Sequence, residues 1–157
     1  MGELKIYTDG SCIPNPGNGG WAIIVEMPKD DNGVMRKEIS GYEPNTTNNR
    51  MELTAVIKAL GSIRRNPESP VKVFIYLDSD YVRKGITEWI INWKKNNWKN
   101  VKNMDLWKQL DNIVQRDYLN ISWFWVAGHS GHIKNERCDI LAKEAIKQKK
   151  GIISQWM

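Results

Sequence analysis

The chain has little of what marks a secreted, membrane-bound or zinc-stapled protein. Its two cysteines, Cys12 and Cys138, are too few for a disulfide framework, so a reduced, cytoplasmic setting is the expectation. Its two histidines, His129 and His132, leave any zinc site that also drew on Cys138 without a fourth ligand. No apolar run approaches the ~20 residues of a bilayer-spanning helix, and the longest, such as 73–77, have strand length. No charged and apolar leader opens the sequence, so no signal peptide is expected, and Ile6 stands where a myristoylation motif needs Ser or Thr. Repeats, low-complexity stretches and Pro/Gly/Ser linkers are also missing. One domain is expected over residues 1–150, with 151–157 as a short tail.

What is present is a globular composition, 41% hydrophobic and 26% charged, which excludes a disordered chain. The net charge is +5, and its location matters more than its size. Residues 83–108 hold seven Lys or Arg and two acids, an excess as large as that of the whole chain. A basic segment on an otherwise near-neutral protein is biased towards polyanions, nucleic acid first.

Periodicity gives the order of elements. Residues 3–9 alternate Leu4, Ile6 and Thr8 with Lys5, Tyr7 and Asp9, a strand pattern. A Gly/Pro/Asn loop over 10–20 follows, then strands near 21–27 and 36–42 separated by the turn Asp30-Asp31-Asn32-Gly33. Leu53, Val56, Ile57 and Leu60 form a helical stripe, predicting a helix over about 49–65. Residues 71–77 are nearly all apolar and read as a strand buried on both faces. Helices are expected over 81–93 and 104–115, a strand over 121–126, and a last helix carrying Cys138, Leu141, Ala142, Ala145 and Ile146. The first three strands make an antiparallel meander. The later two arrive through helical crossovers and join in parallel, so the fold class is α/β with a mixed five-stranded sheet flanked by helices.

Four acids stand out against this frame. Asp9 closes the first strand and Asp78 the apolar fourth, where a carboxylate must emerge into a solvated or cation-holding crevice. If the two strands are parallel neighbours, both lie at the carboxyl edge where α/β sheets bind ligands. Glu52 and Asp139 lie early in two helices, each beside a core position. Four such carboxylates repel unless hard cations such as Mg2+ or Mn2+ are present, and a pair of such ions suits phosphodiester hydrolysis. Three of the acids also have a purely local reading, Glu52 as partner of an Asn49 cap, Asp139 as complement to a helix dipole and Asp9 as a turn residue, whereas the apolar strand before Asp78 makes it the hardest to dismiss.

Motifs sharpen the choice. Tyr7-Thr-Asp-Gly-Ser-Cys12, Asn15-Pro-Gly17, Thr46-Thr-Asn-Asn-Arg-Met-Glu-Leu53, Asp78-Ser79, and Gly128-His-Ser-Gly-His132 with Asn135-Glu-Arg-Cys-Asp139 resemble type 1 ribonuclease H in order and spacing. The resemblance spans Leu4 to about Lys147, and residues 83–108 resemble the basic protrusion of its bacterial members. It implies the ribonuclease H fold and endonucleolytic cleavage of the RNA strand of RNA–DNA hybrids. It also implies two Mg2+ ions (Mn2+ as a substitute) on Asp9, Glu52, Asp78 and Asp139, and 5′-phosphate and 3′-hydroxyl products. His129, in a glycine-flanked loop, is implied as the group handling a proton near the leaving 3′-oxygen or assisting product release.

For the substrate, the resemblance points to Asn15, Thr47, Asn48 and Asn49 as contacts to sugar and phosphate, Asn49 being alternatively a helix cap. Lys94, Lys95 and Lys99 are the expected contacts to the DNA strand, while Trp89 and Trp93, one helical turn apart, are expected to pack with Trp107. One departure is Asp80, where relatives carry Gln: an ionised carboxylate donates no hydrogen bond and repels phosphate. A transposase or resolvase core would need a different substrate channel, and a silent hybrid-binding module would lack a carboxylate. The expected partner is the hybrid duplex alone, with no membrane, and the chain is expected to be a monomer.

Overall fold

The structure is a computed structural model describing residues 3–65, 68–127 and 132–157. Strands β1 (Glu3–Cys12), β2 (Gly17–Pro28) and β3 (Val34–Thr46) form an antiparallel meander. β4 (Val71–Leu77) and β5 (Leu119–Trp125) pair in parallel, giving the order β3-β2-β1-β4-β5. The mixed five-stranded sheet is the one periodicity predicts.

Helices α1 (Asn48–Gly61) and α4 (Met104–Val114) pack on one face. There Ile6, Ile23, Leu53, Leu60, Val73, Ile75 and Leu110 are almost wholly buried, each contributing about 1.5–3 kcal/mol of transfer free energy. Helix α5 (Ile133–Gln148) covers the other face, seating Cys138, Leu141 and Ala142 against Tyr7, Ala22 and Ile24.

Several boundaries differ from expectation. The stretch 10–20 is mostly strand: β1 runs through Cys12 and β2 starts at Gly17, with Ile13 N–H donating to the Asn18 carbonyl to close the hairpin. Backbone pairing between these strands outweighs the turn-forming composition of the segment. The expected helix over 81–93 is three pieces, α2 (Asp80–Lys84), a π-helical turn (Gly85–Trp89) and α3 (Ile90–Lys95). The wide turn lets the rings of Tyr81, Trp89 and Trp93 gather around the Trp107 region, with Trp93 and Trp107 centroids 5.1 Å apart. Trp98 lies tilted against Trp93, centroids 6.1 Å apart, and packs half-buried against the same core.

β4 is buried on one face only. Val71, Val73, Ile75 and Leu77 face the core, whereas Lys72 is exposed and Phe74 and Tyr76 are half-covered, because α5 lies mainly over β1–β3 and meets β4 at Tyr76. The tail 151–157 is not loose: it runs antiparallel along the outer edge of β3, with Ile153 opposite Ile39.

Candidate active site

β1 and β4 pair in register from Glu3–Lys72 to Tyr7–Tyr76, and then β4 ends while β1 continues against β2. The strands therefore part just where their sequences place acids. Asp9, buried on β1, and Asp78, directly after β4, face the gap so created. The third acid arrives because α1 lies directly on β1. At Gly10 a Cβ would stand 2.3 Å from the Met51 carbonyl carbon, so only glycine admits this approach. Gly10 N–H then donates to Glu52 Oε1 at 2.6 Å. That bond removes the capping-box reading of Glu52. The helix is capped instead by Thr47, whose Oγ1 accepts from Arg50 N–H at 3.2 Å, and Asn49 is not the cap.

Asp9, Glu52 and Asp78 each offer a carboxylate oxygen within 4.8 Å of the others, the one such His/Cys/Asp/Glu group among the described residues. Asp139, on α5, stands outside that group but lines the same cleft of about 500 Å³. Its Oδ2 pairs with Lys143 Nζ at 3.0 Å, one helical turn on. The acids thus meet as a tight trio and a fourth that carries its own cation. Lys143 was not anticipated, although the i,i+4 spacing of Asp139 and Lys143 signals such a pair.

The electrostatics follow from this crowding. Burial, then the charges of Asp78 and Asp139, push the Asp9 carboxyl from the ordinary 3.8 up to about 8. Burial, then Asp9 and Asp78, hold Glu52 well above its ordinary range. Hard oxygen donors buried together at this spacing fit a divalent cation, whose charge would offset their repulsion.

Comparison with known proteins is decisive at the level of family. The family model for RNase H matches residues 1–147. The chain belongs to the ribonuclease H family. Ribonuclease H of Paracidovorax citrulli is 49% identical over 156 residues, covering 96% of this chain and 99% of that protein. Ribonuclease HI of Pasteurella multocida is 50% identical over 146 residues, covering 90% and 88%. Among solved structures, LC9-RNase H1, a type 1 RNase H with the type 2 active-site motif, superposes with a TM-score of 0.87 at 29% identity, covering 99% of this chain and 78% of that one. LC11-RNase H1, solved in complex with RNA/DNA hybrid, shares the fold at TM-score 0.61 and 23% identity.

Within this ribonuclease H fold the remaining expected residues are placed as follows. Asn15, at the β1–β2 hairpin, accepts from Asn48 N–H at 3.1 Å, tying the hairpin to the start of α1. Asn48 and Asn49 line the cleft, while the Thr47 hydroxyl is committed to capping. His129 lies outside the described residues. His132 sits at the cleft wall beside the Tyr7 and Tyr76 rings, at 5.6 and 5.9 Å, with Asn135 donating to the Tyr76 carbonyl at 3.3 Å.

In the basic segment, Lys95 and Lys99 are exposed, but Lys94 is paired with Asp111 at 2.7 Å. Asp80 is paired with Arg83 at 2.9 Å, which offsets the charge that departs from the family pattern. Arg50 binds Asp105 through both guanidinium nitrogens, at 3.0 and 2.8 Å, and Asn103 at 3.2 Å, so the end of the basic segment is fastened to α1. No helix among the described residues is long and apolar enough to cross a membrane.

Proposed function

We propose that this hydrolase of the ribonuclease H family cleaves the RNA strand of RNA–DNA hybrids endonucleolytically, leaving 5′-phosphate and 3′-hydroxyl ends. The observation that carries this reading is the carboxylate trio of Asp9, Glu52 and Asp78, with Asp139 at the same cleft, inside a chain whose relatives are named ribonuclease H. Asp9 and Asp78 would hold Mg2+ directly, and Glu52 and Asp139 would complete the donor set for two ions, with Mn2+ a substitute. When bound, such ions supply a water of lowered pKa and offset charge on the phosphodiester.

The chain's own groups orient and select. Asn15, Asn48 and Asn49 set the sugar–phosphate backbone of the hybrid beside the acids, Asn15 and Asn48 being already linked to each other. The backbone around Thr47 lies at the same helix start. Lys95 and Lys99, with Lys94 contributing less because of Asp111, hold the DNA strand without reading its sequence. His129 handles a proton near the leaving 3′-oxygen. A monomer acting in the cytoplasm fits these parts.

The test is a labelled-hybrid cleavage assay with Mg2+ and with a chelator. Cutting of hybrid RNA only with metal, with duplex DNA and single-stranded RNA left intact, is the expected result. Cleavage that persists in the chelator overturns the metal reading.

A further inference from the structure

The tail beyond α5 is fastened in a way that edge protection alone does not require. Ser154 N–H donates to the Glu38 carbonyl at 2.9 Å, and Glu38 N–H donates to Ser154 Oγ at 2.9 Å. Met157 and Arg36 exchange both backbone bonds at 2.9 and 3.0 Å, and Ser40 N–H donates to the Ile152 carbonyl at 2.9 Å. At Gly151 a Cβ would stand 1.9 Å from the Ser40 carbonyl oxygen, so the chain leaves α5 directly against β3. Ile153 and Met157 are 71% and 64% exposed, while Trp156 is more covered, with Lys37 Nζ 5.7 Å from its ring centre.

Glu38 is where this edge meets the helix that bears Asp139. Its side chain, on a residue only 7% exposed, points to the α5 face and accepts from Arg137 Nε at 2.9 Å and Arg137 Nη2 at 3.0 Å, with Arg36 Nη2 at 2.9 Å on the same carboxylate. These bonds hold the Glu38 carboxyl below its usual range, Arg137 first. Arg137 stands two residues before Asp139, and between them Cys138 Sγ donates to the Tyr7 carbonyl, two residues before Asp9. A chain of contacts thus runs from Ser154 through Glu38 to Arg137, and into the turn of α5 that presents Asp139 to the cleft.

We propose that the C-terminal tail is a positioning element of the active site: Ser154 fixes Glu38, and Glu38 fixes Arg137 so that Asp139 is held at the distance the cation site needs. Asp139 is the acid that most needs such support. It stands outside the tight trio and has a competing partner in Lys143. The inference rests on the acids being a cation site.

The test compares the parent with a variant ending at Lys150 and with Ser154→Ala, Glu38→Gln and Ile153→Ala. Calorimetric titration with Mn2+ in the absence of substrate is the main reading, beside melting temperature and hybrid KM at saturating metal. Groups that orient metal ligands cost about ten- to a hundredfold in affinity when removed. Truncation is expected at the low end, about tenfold weaker Mn2+ binding, with Ser154→Ala and Glu38→Gln showing smaller losses in the same direction. Hybrid KM at saturating metal should be unchanged, and Ile153→Ala should match the parent. Ser154→Ala removes one hydroxyl, so it carries the test even where truncation unfolds the chain. Unchanged Mn2+ affinity in Ser154→Ala and Glu38→Gln, with only a lower melting temperature, overturns the inference and leaves the tail as an edge cap. A parent that itself binds no Mn2+ would overturn the cation-site reading along with it.

Discussion

Replacing Asp9 by Asn removes one negative charge from the carboxylate trio while keeping the shape of the side chain. In the metal-free protein this should stabilise the fold, and the amount depends on pH in a way the structure specifies. Asp9 titrates near 8 when folded and near 3.8 ordinarily, the increase coming first from burial and then from Asp78 and Asp139. Between those values the native state keeps a proton that the unfolded chain has released, so stability falls as pH rises from about 4 to about 8. Each pKa unit is worth ~1.4 kcal/mol, which sets an upper limit of about 6 kcal/mol above pH 8. Local relaxation and the sharing of repulsion with Glu52 and Asp78 reduce this to about 2–3 kcal/mol. For a domain of this size that raises the melting temperature by about 5–10 °C. The assay is a set of thermal melts from pH 4 to pH 9 in chelator, repeated with Mg2+. Parent and Asp9→Asn should converge near pH 4 and separate towards pH 8, and Mg2+ should stabilise the parent more than the variant. A variant that melts below the parent at pH 8, or a gap that does not grow with pH, would refute the argument that the trio is held together against its own charge.

Other substitutions test other parts of the site. Gly10→Ala pushes a methyl group into the backbone of α1 at Met51, so it should cost about 1–3 kcal/mol and displace Glu52, visible as a lower melting temperature together with weaker Mn2+ binding. Changing Lys95 and Lys99 to Ala should raise hybrid KM and flatten its salt dependence by roughly 0.7–0.9 log units per lost contact per decade of salt. Lys94→Ala should do less, because Asp111 already neutralises it; equal effects of all three would show that the ion pair opens on binding. His129→Ala should lower kcat with hybrid affinity unchanged, and a loss confined to affinity would make His129 a substrate contact.

The sheet was legible because its two halves have different periods and connections. Alternation in β1, the turn signal between β2 and β3, and the helical stripe of Leu53, Val56 and Leu60 are local signals that tertiary packing did not override. What was not legible depended on partners distant in sequence. The extension of β1 to Cys12 needs Gly19 opposite it, and nothing within 10–20 alone reveals that pairing. The apolar run 71–77 suggested cover on both faces, yet where α5 lands is decided by its seat on Tyr7, Ala22 and Ile24, so Phe74 and Tyr76 are left half-covered. The π-helical turn ending at Trp89 likewise answers to the ring cluster around Trp107, which lies on a later helix.

The acids were legible for a physical reason that the other cleft residues lack. A carboxylate at the end of an apolar strand is costly to bury, so Asp9 and Asp78 mark a place where the chain must supply charge or solvent. Glu52 carries no such mark: its position depends on the backbone contact at Gly10, and the spacing to Asn49 suggested a cap that Thr47 in fact provides. Glu38 was hidden more deeply, since it looks like an ordinary surface charge until α5 is seated, whereas the i,i+4 spacing of Lys143 to Asp139 is a local signal. The same burial and crowding that raise Asp9 and Glu52 mean that the fold works against the site when no cation is present. The compensating contacts are the Asp9–Glu52 hydrogen bond, the Gly10–Glu52 bond and the charged pairs along α5. A site built from mutually repelling groups must be held by the surrounding scaffold, and in this chain that scaffold reaches through Glu38 to the last residues of the sequence.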